Sequence, residues 1–184
     1  YLFKFKLFQL STGEILRNEI RNKTELGIKI FSIMNSGTLV SDEIVSNLIE
    51  KFISKKEYKN ILGDTESPFI SFEFLNALEM SNSVGIQSGW QPNHLGVYDK
   101  DELSAFMPLY IKNNSHGEFI FDHQWSYALN RAGRNYYPKL VTAIPFTPCR
   151  TEKFIGDSNL DSSYFINSIK ELMEEKNIET WHLL

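Results

Sequence analysis

The apolar positions of this chain change period part-way along it. Up to about residue 58 they recur every three to four residues, the spacing of helices packed on one face. Beyond that point short β-rich runs alternate with helical stretches. Residues 1–10 end in an apolar run, after which Ser11 and Glu14 stand three apart as a capping box. The helix behind them carries Ile15, Leu16 and Ile20. A second is predicted from Thr24, with Leu26, Ile28, Ile30, Ile33 and Met34, stopping at Asn35-Ser36-Gly37, since glycine suits the left-handed position after a helix. A third is predicted from Ser41, with Asp42 and Glu43 in its first turn and Ile44, Val45, Leu48, Ile49, Phe52 and Ile53 at helical spacing.

The polar stretch 59–67 breaks this pattern and predicts a boundary and hinge. After it come a helix over 71–81 with Phe72, Leu75 and Leu78 on one side, and a hairpin of 94–98 with 103–112. Pro108 marks the second arm as an edge strand or as bulged. A strand at 118–122, a helix at 123–133, a strand at 139–146, a helix at 162–176 and a strand from Glu179 follow. A hairpin and then β-α-β-α-β predicts an α/β fold with a partly parallel sheet.

Composition narrows the function classes. A 42% hydrophobic and 14% aromatic content is ample for a core. A formal charge of −4 and a pI near 5.6 argue against a binder of duplex nucleic acid. The lone cysteine, Cys149, permits no internal disulfide; with no signal peptide and no membrane-length apolar run, the expected location is the cytoplasm. Tyr1 is not methionine and Leu184 falls within an expected strand, so the chain is expected to be a fragment.

The densest chemistry lies at 117–150, where Asp122, His123, Trp125, Tyr127, Arg131 and Arg134 follow the predicted strand end. Acid–base chemistry at such a strand end needs one group that takes a proton and another that gives one. Asp122 and His123 would supply the base, and Tyr127, Tyr136 or Tyr137 a proton. The structural alternative is that Asp122 caps the following helix and the tyrosines pack on the sheet. Lys139 and Arg134 would attract a phosphate or carboxylate, or stand solvated at element ends. Trp90 and Trp125 are expected in the core. His94, His116, His123 and His182 show no metal-ligand spacing, so no metal site is expected.

Two resemblances cover different parts of the chain. Residues Leu10–Arg17, Thr24–Gly27 and Met34–Glu43 resemble adenylate kinase at that family's spacing. The resemblance implies an AMP-binding segment, 1–60, with Thr12 and Arg17 on the nucleotide, Arg17 pairing the phosphate, and Thr38, Leu39 and Val40 along base and ribose. The phosphate-gripping glycine loop of that family is expected upstream of Tyr1, and Ile61–Thr65 stand in place of its Asp-Gly-Tyr-Pro-Arg signature, so kinase turnover, which would use AMP and ATP, is not expected.

After a linker at 61–67, residues 68–184 resemble predicted N-acyltransferases of GNAT-type fold related to the FemAB aminoacyltransferases of peptidoglycan biosynthesis or recognition. Ser67–Ser71, Gly89–Pro92, Pro108–Tyr110, Gly117–Asp122, Tyr136–Lys139 and Pro145–Pro148 carry that resemblance. It implies a GNAT-like mixed sheet with flanking helices, cut short, and an acyl-CoA or aminoacyl donor. Asp122, His123 and Tyr127 would be catalytic, with Tyr136, Tyr137 and Lys139 binding a small-molecule substrate. The acyl-CoA pyrophosphate loop of many such enzymes has only a partial echo, Arg131-Ala132-Gly133-Arg134. The whole then reads as a transferase-like chimera, alternatively an adenylate kinase fragment with a foreign C-terminal part, or a fusion inactive in both activities. Weak contact is expected between 1–58 and the rest.

Overall fold

The computed structural model describes residues 5–10, 12–36, 40–41, 44, 55–63, 67–100, 102–156 and 160–184. In chain order these form β1 (Phe5–Leu10), α1 (Thr12–Arg21), α2 (Glu25–Asn35), α3 (Lys55–Leu62), a 3-10 turn (Pro68–Ile70) and α4 (Phe72–Met80). There follow β2 (Trp90–Pro92), β3 (His94–Asp99), β4 (Glu102–Met107), β5 (Tyr110–Lys112), α5 (His123–Arg131), β6 (Lys139–Thr142), β7 (Ile155–Gly156), α6 (Ser163–Lys176) and β8 (Trp181–Leu183). The predicted cap at Ser11 and most of the third helix lie outside the described residues. Where caps are described, short polar side chains serve: Thr24 Oγ1 accepts from Gly27 N at 2.9 Å, and Ser71 Oγ from Phe74 N at 3.2 Å. A Cβ on Gly27 would stand 2.0 Å from Glu19 O, so only glycine lets α2 start this close to α1.

Two four-stranded sheets build the rest, ordered β1-β3-β4-β7 and β2-β5-β6-β8. The first is antiparallel throughout; in the second, β6 and β8 run parallel. This is a mixed α/β fold. The predicted second hairpin arm is split at Pro108. β4 stays in the first sheet and β5 enters the second, because proline has no N–H with which to continue the ladder. The predicted strand at 118–122 is irregular, for a reason that belongs to the site below.

The expected weak contact is not what the structure shows, and of the expected hinge at 59–67 residues 64–66 lie outside the described residues. Residues 59–62 continue helix α3. β1 pairs antiparallel with β3, from Phe5 opposite Asp99 to Leu10 opposite His94. One apolar cluster joins Ile30 of α2 to Tyr58, Phe72, Tyr98, Phe106 and Ile155, with Leu16, Ile20 and Leu26 packed on it. The physical reason is burial: helix faces removed from one partner gain about 25 cal/mol per Å² from any apolar surface that covers them. A second cluster packs α6, through Phe165, Ile169 and Leu172, on Leu95, Val97, Met107, Ile111 and Leu140 from both sheets. A third surrounds Trp90 with Tyr110 and Val141. Trp90 is core as expected, whereas Trp125 is 68% exposed.

Candidate functional site

β5 and β6 pair so that Lys112 stands directly opposite Lys139. Both side chains are 0% exposed. Like charges facing each other across a sheet repel, and burial magnifies the effect. The connection between the strands supplies the acids. Lys139 Nζ reaches Glu118 Oε2 at 2.7 Å and Asp122 Oδ2 at 2.5 Å, and Lys112 Nζ lies 3.6 Å from Glu118 Oε1. This explains the missing strand. Residues four apart in a strand are separated by roughly 13 Å, too far for both to hold one ammonium. The backbone instead turns at Phe119 (φ 59°), sending Glu118 and Asp122 inward and leaving Phe119 and Phe121 exposed.

Hydrogen bonding around Lys139 is saturated. Its three protons go to Glu118, to Asp122 and, at 2.8 Å, to Ser115 Oγ. Ser115 Oγ donates to Asp122 Oδ2 at 2.6 Å and accepts from Tyr137 OH at 2.7 Å. The Asp122 carboxylate that accepts the Ser115 hydrogen bond is itself neutralised by Lys139 and is a weak base, so that hydroxyl is no activated nucleophile. Tyr136 OH donates to the same Asp122 oxygen at 2.6 Å. With its one hydrogen committed there, Tyr136 OH can only accept from His182 Nε2, 3.1 Å away. His182 therefore carries its proton on Nε2, and Nδ1 has no hydrogen-bond partner among the described residues.

The titration behaviour follows. Burial alone would raise the Asp122 carboxyl, but hydrogen bonds from Lys139, Ser115 and Tyr136 hold it well below the usual carboxylate range. Burial and the bond to Asp122 push the Tyr136 phenol far up. Burial, aided by Lys139, holds the His182 imidazole below its ordinary value. Burial likewise lowers Lys112 to about 8 against the pull of Glu118; its ammonium lies 3.6 Å from the Trp90 ring centroid and donates to His116 O at 3.0 Å. The Asp122 shift has a stability consequence. The unfolded carboxyl binds a proton at higher pH than the folded one, so the stabilisation is present above pH about 4 and lost as pH falls below it. The stability difference between the wild type and Asp122→Asn, measured by urea unfolding, is expected to shrink steadily below pH 4.

Tyr136 and His182 line an open cleft of about 380 Å³ whose walls include Trp125, Leu129, Thr180 and Trp181. The structure thus gathers Asp122, Tyr136, Tyr137 and Lys139 from the sequence-predicted set. It does not bring His123 or Tyr127 into the cluster. His123 is exposed at the start of α5, and Tyr127, 64% exposed, faces the Arg131 guanidinium 5.7 Å from its ring. Asp122 precedes α5 without a side-chain capping bond. Arg134 pairs with Glu179 at 2.6 Å. Of the nucleotide-binding set, Arg17 is exposed on α1 and Val40 packs on the first apolar cluster, while Thr38 and Leu39 lie outside the described residues, as does the Thr12 side chain at the start of α1. Sequence reasoning missed His182, Glu118, Ser115 and Lys112. The available signal was a lysine within each of two apolar strands, YIK and KLVT, since a buried lysine demands a carboxylate nearby.

Neither a metal nor a pyrophosphate suits these residues. Glu118, Asp122 and His182 offer ligand atoms within 4.8 Å of one another. However, two ammonium groups already neutralise the two carboxylates, and Lys139 occupies the position between them. The 131–134 echo forms the C-terminal turn of α5, with Gly133 at φ 74°. That is the negative end of the helix dipole, opposite to the end that holds phosphate.

A family model described as FemAB-like, peptidoglycan biosynthesis/recognition, matches residues 49–184. The chain belongs to the FemAB-like family. Every residue of the buried cluster and of the cleft falls within that FemAB-like match. An adenylate kinase model matches residues 2–64, overlapping it over 49–64. Among curated proteins, the adenylate kinase of Pelagibacter ubique (strain HTCC1062) is 42% identical over 57 residues, 31% of this chain and 27% of that protein. That of Mycoplasma mobile is 42% identical over 57 residues, 31% and 26%. That of Caldicellulosiruptor bescii is 46% identical over 61 residues, 33% and 28%. The chain spans about a quarter of the length of these curated relatives. No solved structure matches it. No helix among the described residues is long and apolar enough to cross a membrane.

Proposed function

We propose that the FemAB-like part transfers an acyl or aminoacyl group to an amine in the cleft above Tyr136, with His182 as the base. The observation that carries this is the one-way hydrogen-bond chain from His182 through Tyr136 to Asp122. It leaves the unpaired Nδ1 of a neutral imidazole on a residue that lines the cleft. As the amine nitrogen bonds to the donor carbonyl carbon, Nδ1 takes an N–H proton. It returns that proton to the leaving oxygen or sulfur as the donor bond breaks. The buried negative charge of Asp122, linked through Tyr136, stabilises the transient imidazolium. Tyr136 is a relay, because its raised pKa keeps the phenol protonated. The mixed sheet with its parallel β6–β8 pair is compatible with the GNAT-type reading of the fold. The family description points to peptidoglycan amines as acceptors, and the unsuitable 131–134 turn favours an aminoacyl donor over acyl-CoA.

The test is transfer of a radiolabelled aminoacyl group to a peptidoglycan-derived peptide carrying a free amine. His182→Ala is expected to lower turnover by about 10²–10⁴-fold, and His123→Ala to leave it unchanged. The wild-type rate should fall on an acid limb centred below pH 6.5, as the imidazole takes up its proton. Full activity in His182→Ala would remove this reading. A second reading concerns residues 11–40, where the 42–46% identity to adenylate kinases favours AMP binding. AMP is then expected to slow hydrogen exchange there and not at 117–150.

A further inference from the structure

We propose that Lys139 is a positioning residue that fixes the tautomer of His182, three hydrogen bonds away, by keeping Asp122 an acceptor. Its value for catalysis rests on the proposed function, but the tautomer is a property of the resting protein. The chain of constraint is continuous. Lys139 Nζ and Asp122 Oδ2 are 2.5 Å apart and both side chains are buried, so the carboxylate holds its charge against desolvation through this ammonium. An ionised Asp122 can only accept. Tyr136 must therefore donate to it, and His182 must donate to Tyr136 through Nε2.

Removing the ammonium reverses each step. Asp122 stays buried, with Ser115 and Tyr136 as its remaining donors, and its carboxyl takes one proton from solvent. Protonated Asp122 then donates to Tyr136, which turns its own hydrogen toward His182 Nε2. The imidazole gives up its Nε2 proton and gains one on Nδ1, remaining neutral, and the Nδ1 lone pair is lost. The charged groups facing His182 are Asp122 and Glu118 from the 113–122 loop and Lys139 from β6; Glu179, which lines the same cleft, is paired with Arg134. Lys112 sits beyond Glu118 and makes no bond to Asp122, so it does not substitute for Lys139.

The experiment is ¹⁵N NMR of the His182 ring in the full chain at pH 7.5, which reports which nitrogen carries the proton. The wild type and Lys139→Arg should show Nε2–H, and Lys139→Met should show Nδ1–H. Should Lys139→Met not fold, Glu118→Gln/Lys139→Met removes the second stranded carboxylate and is expected to show the same inversion. Nδ1–H in the wild type, or Nε2–H retained in a folded Lys139→Met or double variant, would overturn the inference. The expected kinetic signature of Lys139→Met is a loss in kcat with KM nearly unchanged. The predicted tautomer pattern alongside full transfer activity in His182→Ala would support the inference and overturn only the proposed function.

Discussion

Lys139→Met is expected to lower the stability of the chain by about 3–5 kcal/mol, the usual loss when one partner of a buried ion pair is removed. Lys139 is the only ammonium bonded to Asp122 among the described residues, and it also carries the shorter of the two links to Glu118. Without it, Asp122 has no ammonium partner among the described residues and Glu118 keeps only Lys112, which is 3.6 Å away and already stacked on Trp90. Methionine fills the aliphatic volume, so the loss reports charge and not a cavity. Urea denaturation gives the measurement. Glu118→Gln/Lys139→Met should recover part of the loss, because one stranded charge is neutralised. A loss below about 1 kcal/mol, the range of solvent-exposed pairs, would show that water reaches this cluster.

Tyr58→Ala is expected to cost about 3–5 kcal/mol, the range for deleting a large buried aromatic. Its ring lies edge-on to Phe72 and Phe106, with centroids 5.8 and 5.0 Å away, and its hydroxyl donates to Ile70 O at 2.7 Å. Tyr58→Phe keeps the packing and leaves that buried carbonyl without its donor, so its loss should be smaller, about 1–3 kcal/mol. Tyr58 lies where α2, α3 and the first sheet share one apolar cluster. Tyr58→Ala should therefore lower protection from hydrogen exchange in both α2 and β3. Lowered protection in β3 alone would mean that the 1–36 region packs independently of the remainder.

The elements that the sequence predicted well are those whose signal is local. Thr24 and Ser71 sit three residues before the amides they cap, and α2, α4 and α6 carry apolar residues at helical spacing. The strand expected at 118–122 failed for a non-local reason: the pattern EFIFD satisfies strand periodicity, but its two acids answer to lysines on β5 and β6. Candidate chemistry divided along the same line. Asp122, Tyr136, Tyr137 and Lys139 were legible because polar and aromatic residues crowd there, and the structure does assemble them. His182, 43 residues beyond Lys139 on β8, was not legible, because its place beside Tyr136 depends on a parallel pairing that no local pattern encodes.

By itself, then, the sequence determined helices α1, α2, α4, α5 and α6, the caps at Thr24 and Ser71, the two family resemblances and the stretch in which the chemistry is concentrated. These depend on residues within a few positions of one another. Only the tertiary structure decided that β1 would extend the sheet of β3, that two lysines would face each other across β5 and β6, and that a histidine from β8 would complete the chain to Asp122. Each of these is a pairing between distant strands. Its free energy comes from burying apolar faces together and from balancing charges that water no longer screens, and neither quantity exists until the strands have met.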